Sequence, residues 1–171
     1  MKNFKKILCL NLIIVLTFLC LSGCKKAEAL KCPFTEMTWQ NSYEDIIEYE
    51  GSESSDTYDS MYYGKTYTYP KNYKGYDGTI KYMFDDEDEL VCMAWAVVTD
   101  SMEELDAFYE QLVSENTEKY GKCGYEIDTA TSQGNVWYLE DGNITLSAMT
   151  TESAKSIQFS FMSPKVAAQK P

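Results

Sequence analysis

The chain has 171 residues, 44% of them hydrophobic and 25% charged, which places it among globular proteins of about one domain and outside the disordered and collagen-like classes. Its 15 basic residues are all Lys, set against 27 Asp and Glu for a net charge of −12, and it has neither Arg nor His. Those absences exclude Ser-His-Asp and Cys-His catalysis, His-ligated metals and bidentate Arg readout of phosphate or guanine; the acidity excludes nucleic-acid binding, which draws its affinity from basic groups.

Lys2, Lys5 and Lys6 precede an apolar run from Ile7 to Leu21 that is broken only by Asn11 and Thr17. The run falls short of the roughly 20 residues a spanning helix needs, so residues 1–23 read as a secretory signal peptide. Leu21-Ser22-Gly23-Cys24 resembles the lipobox of bacterial lipoproteins. The resemblance implies cleavage before Cys24, a diacylglyceryl thioether on that cysteine, and a protein held by lipid on the extracytoplasmic side of the cell membrane. Two acyl chains anchor stably where one is marginal. Loss of the three leader lysines leaves 12 Lys against 27 acids, a net charge of −15.

Residues 24–33 read as a lipidated tether, 34–164 as a single domain, and 165–171 as a flexible tail. Of the six cysteines, Cys9 and Cys20 fall in the leader and Cys24 in the lipobox, leaving Cys32, Cys92 and Cys123. Their spacing fits no metal motif, and a Cys92–Cys123 disulfide stands beside free thiols as an option.

Along the domain, Asn41 or Ser42 is placed to cap a short helix with Tyr43, Ile46 and Ile47 on one face and Gly51 as its stop. Residues 51–60, rich in Ser, Glu and Asp, read as a solvated loop, and a strand over 65–69 is expected to end at Pro70. Ile80, Tyr82 and Phe84 alternate with Lys81 and Met83, and an acidic turn, 85–89, leads into the apolar run 90–98, a hairpin with a central second strand. Ser101-x-x-Glu104 reads as a capping box for a helix carrying Leu105, Phe108, Tyr109, Leu112 and Val113 on one stripe. Four short strands follow, 125–131, 135–140, 144–150 and 156–162. The expected fold class is α+β, an antiparallel sheet covered on one face by two helices, its halves reading loosely as a duplicated helix-plus-three-strands unit.

Trp39-x-x-Ser42-x-Glu44-Asp45-Ile46, Gly51, Tyr82-x-Phe84-Asp85 and Leu90 are similar to the opening half of small lipoproteins with the β-lactamase-inhibitory-protein-like or outer-membrane-assembly-lipoprotein-like fold. That likeness spans about residues 37–99 and implies binding or assembly rather than chemistry.

Two features carry candidate function. The run Asp85-Asp86-Glu87-Asp88-Glu89 lacks calcium-loop spacing, since the positions that would need Gly and Glu hold Leu90 and Ala96, so it reads as a solvated tip and no metal or other cofactor is expected. The segment 58–82 is dense in tyrosine; Tyr73 and Tyr76, flanked by Gly75 and Gly78, are expected in a loop, forming with Tyr62 or Tyr63 an exposed platform for a partner. The functional expectation is a lipid-anchored binding or assembly module for an extracytoplasmic protein or glycan, with no catalytic residues. The alternative is a surface glycosidase-like hydrolase using a carboxylate pair.

Overall fold

The structure, a computed structural model, describes residues 30–168; the expected signal peptide and Cys24 lie outside the described residues. Helix α1 (Tyr43–Glu50) begins at a reciprocal cap in which Ser42 Oγ accepts from the Asp45 N–H and the Asp45 carboxylate accepts from the Ser42 N–H. Gly51, at φ 75°, turns the chain out of it. Strands β1 (Asp56–Asp59), β2 (Tyr63–Tyr73), β3 (Tyr76–Asp85) and β4 (Leu90–Thr99) lead to helix α2 (Met102–Tyr120). Strands β5 (Tyr125–Asp128), β6 (Ser132–Leu139), β7 (Gly142–Thr150) and β8 (Lys155–Met162) complete the chain. All eight join one antiparallel sheet in the order β1-β2-β3-β4-β8-β7-β6-β5.

This corrects the expected α+β fold of a sheet covered by two helices. Strand accounts for 46% of the described residues and helix for 19%, so the molecule is in the main a single sheet, and each helix is followed by four strands rather than three. The extra strand, β1, was hidden in a run that reads as loop: all four of its residues are exposed, so no apolar alternation marks it. Nor does Pro70 end β2. It sits past the last residue paired with β1, where β2 has become an edge, the position at which a strand tolerates proline. The Ser101 side chain makes no cap bond on α2; Thr99 Oγ1 instead accepts from the Ser101 N–H at 3.1 Å.

The two faces of the sheet differ sharply. The front carries Tyr82, Trp95, Phe159, Leu146 and Trp137, all at most 2% exposed, under Ile46 of α1 and Leu105, Phe108 and Leu112 of α2. Burying each such side chain contributes about 1.5–3 kcal/mol. The segment ahead of α1 fills the remaining gap. Its Phe34 ring meets Tyr73, Phe161 and Phe159 edge-on at 5.6, 5.7 and 5.9 Å. Tyr82 Oη donates to Glu50 Oε1 at 2.6 Å and accepts from Thr35 Oγ1 at 2.8 Å, while buried Tyr69 Oη has no hydrogen-bond partner among the described residues. Buried Lys155 on β8 pairs with Asp106 of α2 and donates to Gln133 Oε1 at 2.9 Å. Among the described residues, the buried core cluster on this face runs from Phe34 to Phe161.

On the back face the register aligns Ala96, Gln158, Ser147, Gly134 and Ile127 across five strands. Beside that row runs a second, Val98, Ser156, Met149 and Ser132. Among the described residues, no helix lies over them.

Leu30 and Cys32 already pack on the core, so the expected tether joins the fold before residue 34. The expected loose tail is held too, with Asn143 Nδ2 donating to the Ala168 carbonyl at 2.8 Å. Cys32, Cys92 and Cys123 are free thiols. A Cys92–Cys123 bond is not formed, because Cys92 sits on the back face beside Met83 while Cys123 accepts from Asn135, which points to the front.

Candidate functional site

The β1–β2 connection is short and pinned at every turn by one residue. Ser60, buried, donates its N–H to the Gly64 carbonyl at 2.9 Å, accepts from Tyr62 N–H on Oγ at 3.0 Å and accepts from Tyr63 N–H on its carbonyl at 3.1 Å. Lys65 and Asp59 close the neck with an ion pair of 2.5 Å. Gly64 presses on the next hairpin so closely that an added Cβ would lie 2.1 Å from the Asp85 carbonyl oxygen. A bend this tight leaves Tyr63 at φ 75°, a left-handed conformation that costs a non-glycine residue about 1–3 kcal/mol.

What the bend presents is uneven. Tyr62 folds under the sheet beside Met83, Cys92 and Met162, with Oη donating to Met162 Sδ at 3.6 Å. Burial, aided by the neighbouring Cys92, pushes the Tyr62 phenol up to about 12, and burial pushes the Cys92 thiol up to about 12. Tyr63 and Met61 on either side of it stand in solvent, 89% and 73% exposed. An anchored tyrosine thus holds two large apolar side chains in water at the tip of a rigid hairpin. Exposed aromatic and methionine side chains are the residue types enriched at the centres of protein interfaces.

Tyr73 and Tyr76 do not belong to this tip, which corrects the expected platform of Tyr73 and Tyr76 with Tyr62 or Tyr63. They face each other as the last pair of the β2–β3 hairpin, whose two-residue turn is Lys74-Gly75. Both rings turn inward: Tyr76 stacks on Phe108 at 4.3 Å, and Tyr73 meets Trp95 edge-on at 5.5 Å. The length of β2 puts them about 33 Å from Tyr63, at roughly 3.3 Å per residue. Tyr62 and Tyr63 remain as candidates, with Met61 added. Nothing in its composition singles Met61 out; only the bend exposes it.

The acidic hairpin tip closes on a lysine. Carboxylate oxygens of Asp85, Glu87 and Glu89 lie within 4.8 Å of one another, and Lys165 Nζ sits among them, 2.6 Å from Asp85 and 2.9 Å from Glu89. The place a cation would take is filled by an ammonium. Burial pushes Asp85 upward, yet Lys165 and the N–H groups of Glu89 and Glu87 outweigh it and hold the carboxyl below the usual range. Asp45, Asp59 and Glu115 are likewise lowered, by hydrogen bonds to the Ser42 backbone, to Lys65 and to Lys74 respectively. A lowered pKa is the wrong direction for a general acid.

A cleft of about 700 Å³ opens between the segment ahead of α1 and the β6–β7 turn, lined by Leu30, Met37, Trp39, Met93 and Asp141 among others. Its size suits a small ligand, but its walls come chiefly from one irregular segment. No family model, no curated protein and no solved structure matches the chain.

Proposed function

We propose that the protein is a membrane-anchored extracytoplasmic lipoprotein whose domain is a binding or assembly module for a protein or glycan partner, engaged through the β1–β2 tip. The observation that carries this is Tyr63: a strained backbone and an 89% exposed ring at one residue have no use to the fold, since the same bend would be easier for glycine. Strain kept at an exposed aromatic is the mark of a contact residue. The lipobox-like Leu21-Ser22-Gly23-Cys24 supports the address, and the net charge of −15 left once the three leader lysines are lost supports a domain that stands off anionic membrane surfaces.

The test pairs stability with capture. The full chain, solubilised in detergent and immobilised, is challenged with envelope extract as wild type, Tyr63→Gly and Met61→Ala. The expected result is that Tyr63→Gly raises the thermal midpoint by a few degrees while partner capture falls at least tenfold, with Met61→Ala also weakening capture. Capture unchanged by both substitutions contradicts the tip as the site. For the anchor, Cys24→Ser in the full chain is expected to release the protein from the membrane fraction unprocessed; processing and retention of the variant contradict it.

A further inference from the structure

We propose that Met83, Cys92 and Met162 form a metal site, one that takes the soft monovalent cation Cu(I). The register sets the three residues directly opposite one another on adjacent strands, Met83 of β3 against Cys92 of β4 and Cys92 against Met162 of β8, all on the back face. Each thioether has only one strand spacing, about 4.8 Å, to cross before it meets the thiol between them. One oxygen marks a point that two of the sulfurs reach: Tyr62 Oη donates to Met162 Sδ at 3.6 Å and lies beside the Cys92 thiol as well. The Met162 lone pair is therefore aimed at the phenol over the cluster, and the phenol stands where a Lewis acid would bind.

Ligand chemistry selects the metal. Thiolate and thioether sulfur are soft donors that suit Cu(I), whereas Mg(II) and Ca(II) take oxygen, and structural Zn(II) is held by Cys, His and carboxylate. Charge selects the same ion. Of the three ligands only Cys92 ionises, and it is 2% exposed, so a monovalent ion leaves the buried site neutral while a divalent one leaves an uncompensated positive charge. Lys81, whose strand partner Ala94 belongs to the same cluster, adds to the repulsion of a second positive charge, and its ammonium favours the thiolate. Binding is a ligand exchange: Cys92 Sγ gives its proton to solvent as the S–Cu bond forms, each thioether donates a lone pair, and no electron changes hands. Among the described residues the cluster is closed by the partly buried Tyr62 ring and by Met162 itself, so the metal enters when Tyr62 swings aside and frees the Met162 lone pair. The site is separate from exposed Tyr63 and Met61 and does not rest on the function proposed for them.

Anaerobic titration of the full chain, solubilised in detergent, with Cu(I) in competition with a colorimetric chelator tests the inference. The chain is expected to take one equivalent from the chelator. Cys92→Ala is expected to abolish this binding, and Met83→Leu and Met162→Leu each to weaken it at least tenfold, because leucine keeps the volume and the packing but offers no lone pair. Met61→Leu and Cys123→Ala are expected to leave the affinity where it was, and X-ray absorption of the loaded chain to show a shell of sulfur alone. A chain that takes no Cu(I) from the chelator overturns the inference. So does Cu(I) binding indifferent to both methionine substitutions, which would assign the metal to a lone thiol such as Cys123. Displacement of Cu(I) by Zn(II) from the same three residues overturns the choice of a monovalent ion.

Discussion

Two faces of one sheet, built from alternate residues of the same strands, have opposite characters. Along β4, Met93, Trp95 and Val97 are sealed under helices and the segment ahead of α1, while Val98 stands in water two strands from Met149. The front is large, aromatic and interlocked; the back, from β4 to β6, is rich in small and hydroxyl-bearing residues such as Ala96, Ser147, Gly134 and Ser156. Most of the buried core therefore lies on one face, and the other holds only a smaller cluster of Met83, Cys92 and Ala94 closed by Tyr62 and Met162. The exposed part of the back face, at Val98 and Met149, and the exposed side chains of the β1–β2 tip are free to carry surface properties that the fold does not need.

That division is most easily broken from the front. Trp95→Ala removes a fully buried indole whose Nε1 also donates to the Lys71 carbonyl at 2.9 Å, and is expected to cost about 3–5 kcal/mol in urea denaturation. Gly78→Ala on β3 places a Cβ 2.5 Å from the Ala96 carbonyl oxygen and 2.7 Å from the Trp95 ring, a clash expected to cost about 1–3 kcal/mol in the same assay. Ser42→Ala, which removes the α1 cap, should cost about 1 kcal/mol.

The acidic tip gives a pH signature. A carboxyl whose folded pKa is depressed adds stability above its unfolded value, about 3.9 for Asp, and loses it as pH falls through the folded value. Wild type should therefore lose thermal stability below about pH 4, and Asp85→Asn should lower the midpoint at pH 7 while losing less on acidification. Parallel acid profiles for the two proteins would show that the Lys165 cluster does not stabilise the fold.

Local pattern made part of this legible. The stripe of Leu105, Phe108 and Leu112 marks α2, and the alternation of Ile80, Tyr82 and Phe84 marks β3, because periodicity alone decides which side such residues bury. β1 was not legible, since Asp56-Thr57-Tyr58-Asp59 forms a strand only because β2 offers it an edge. Tyr73 and Tyr76 looked like loop residues for a related reason: what buries them is Phe108, Trp95 and Phe34, residues remote in sequence that a local window does not contain. The tip was half legible. Tyr density pointed to the right segment, but the bend that turns Tyr62 under and Tyr63 out depends on Ser60 and on the closeness of Gly64 to Asp85.

Adjacent residues on opposite faces give the most direct test of the two-face account. Val97 is 6% exposed on the front and its neighbour Val98 is 69% exposed on the back, so Val97→Asp and Val98→Asp place the same charge one residue apart. In urea denaturation at low micromolar protein, Val97→Asp is expected to lose at least about 3 kcal/mol, as a buried unpaired carboxylate does, and Val98→Asp to stay within about 0.5 kcal/mol of wild type. Equal losses from the two substitutions would contradict the account, because they would mean that the back face is as much a part of the core as the front.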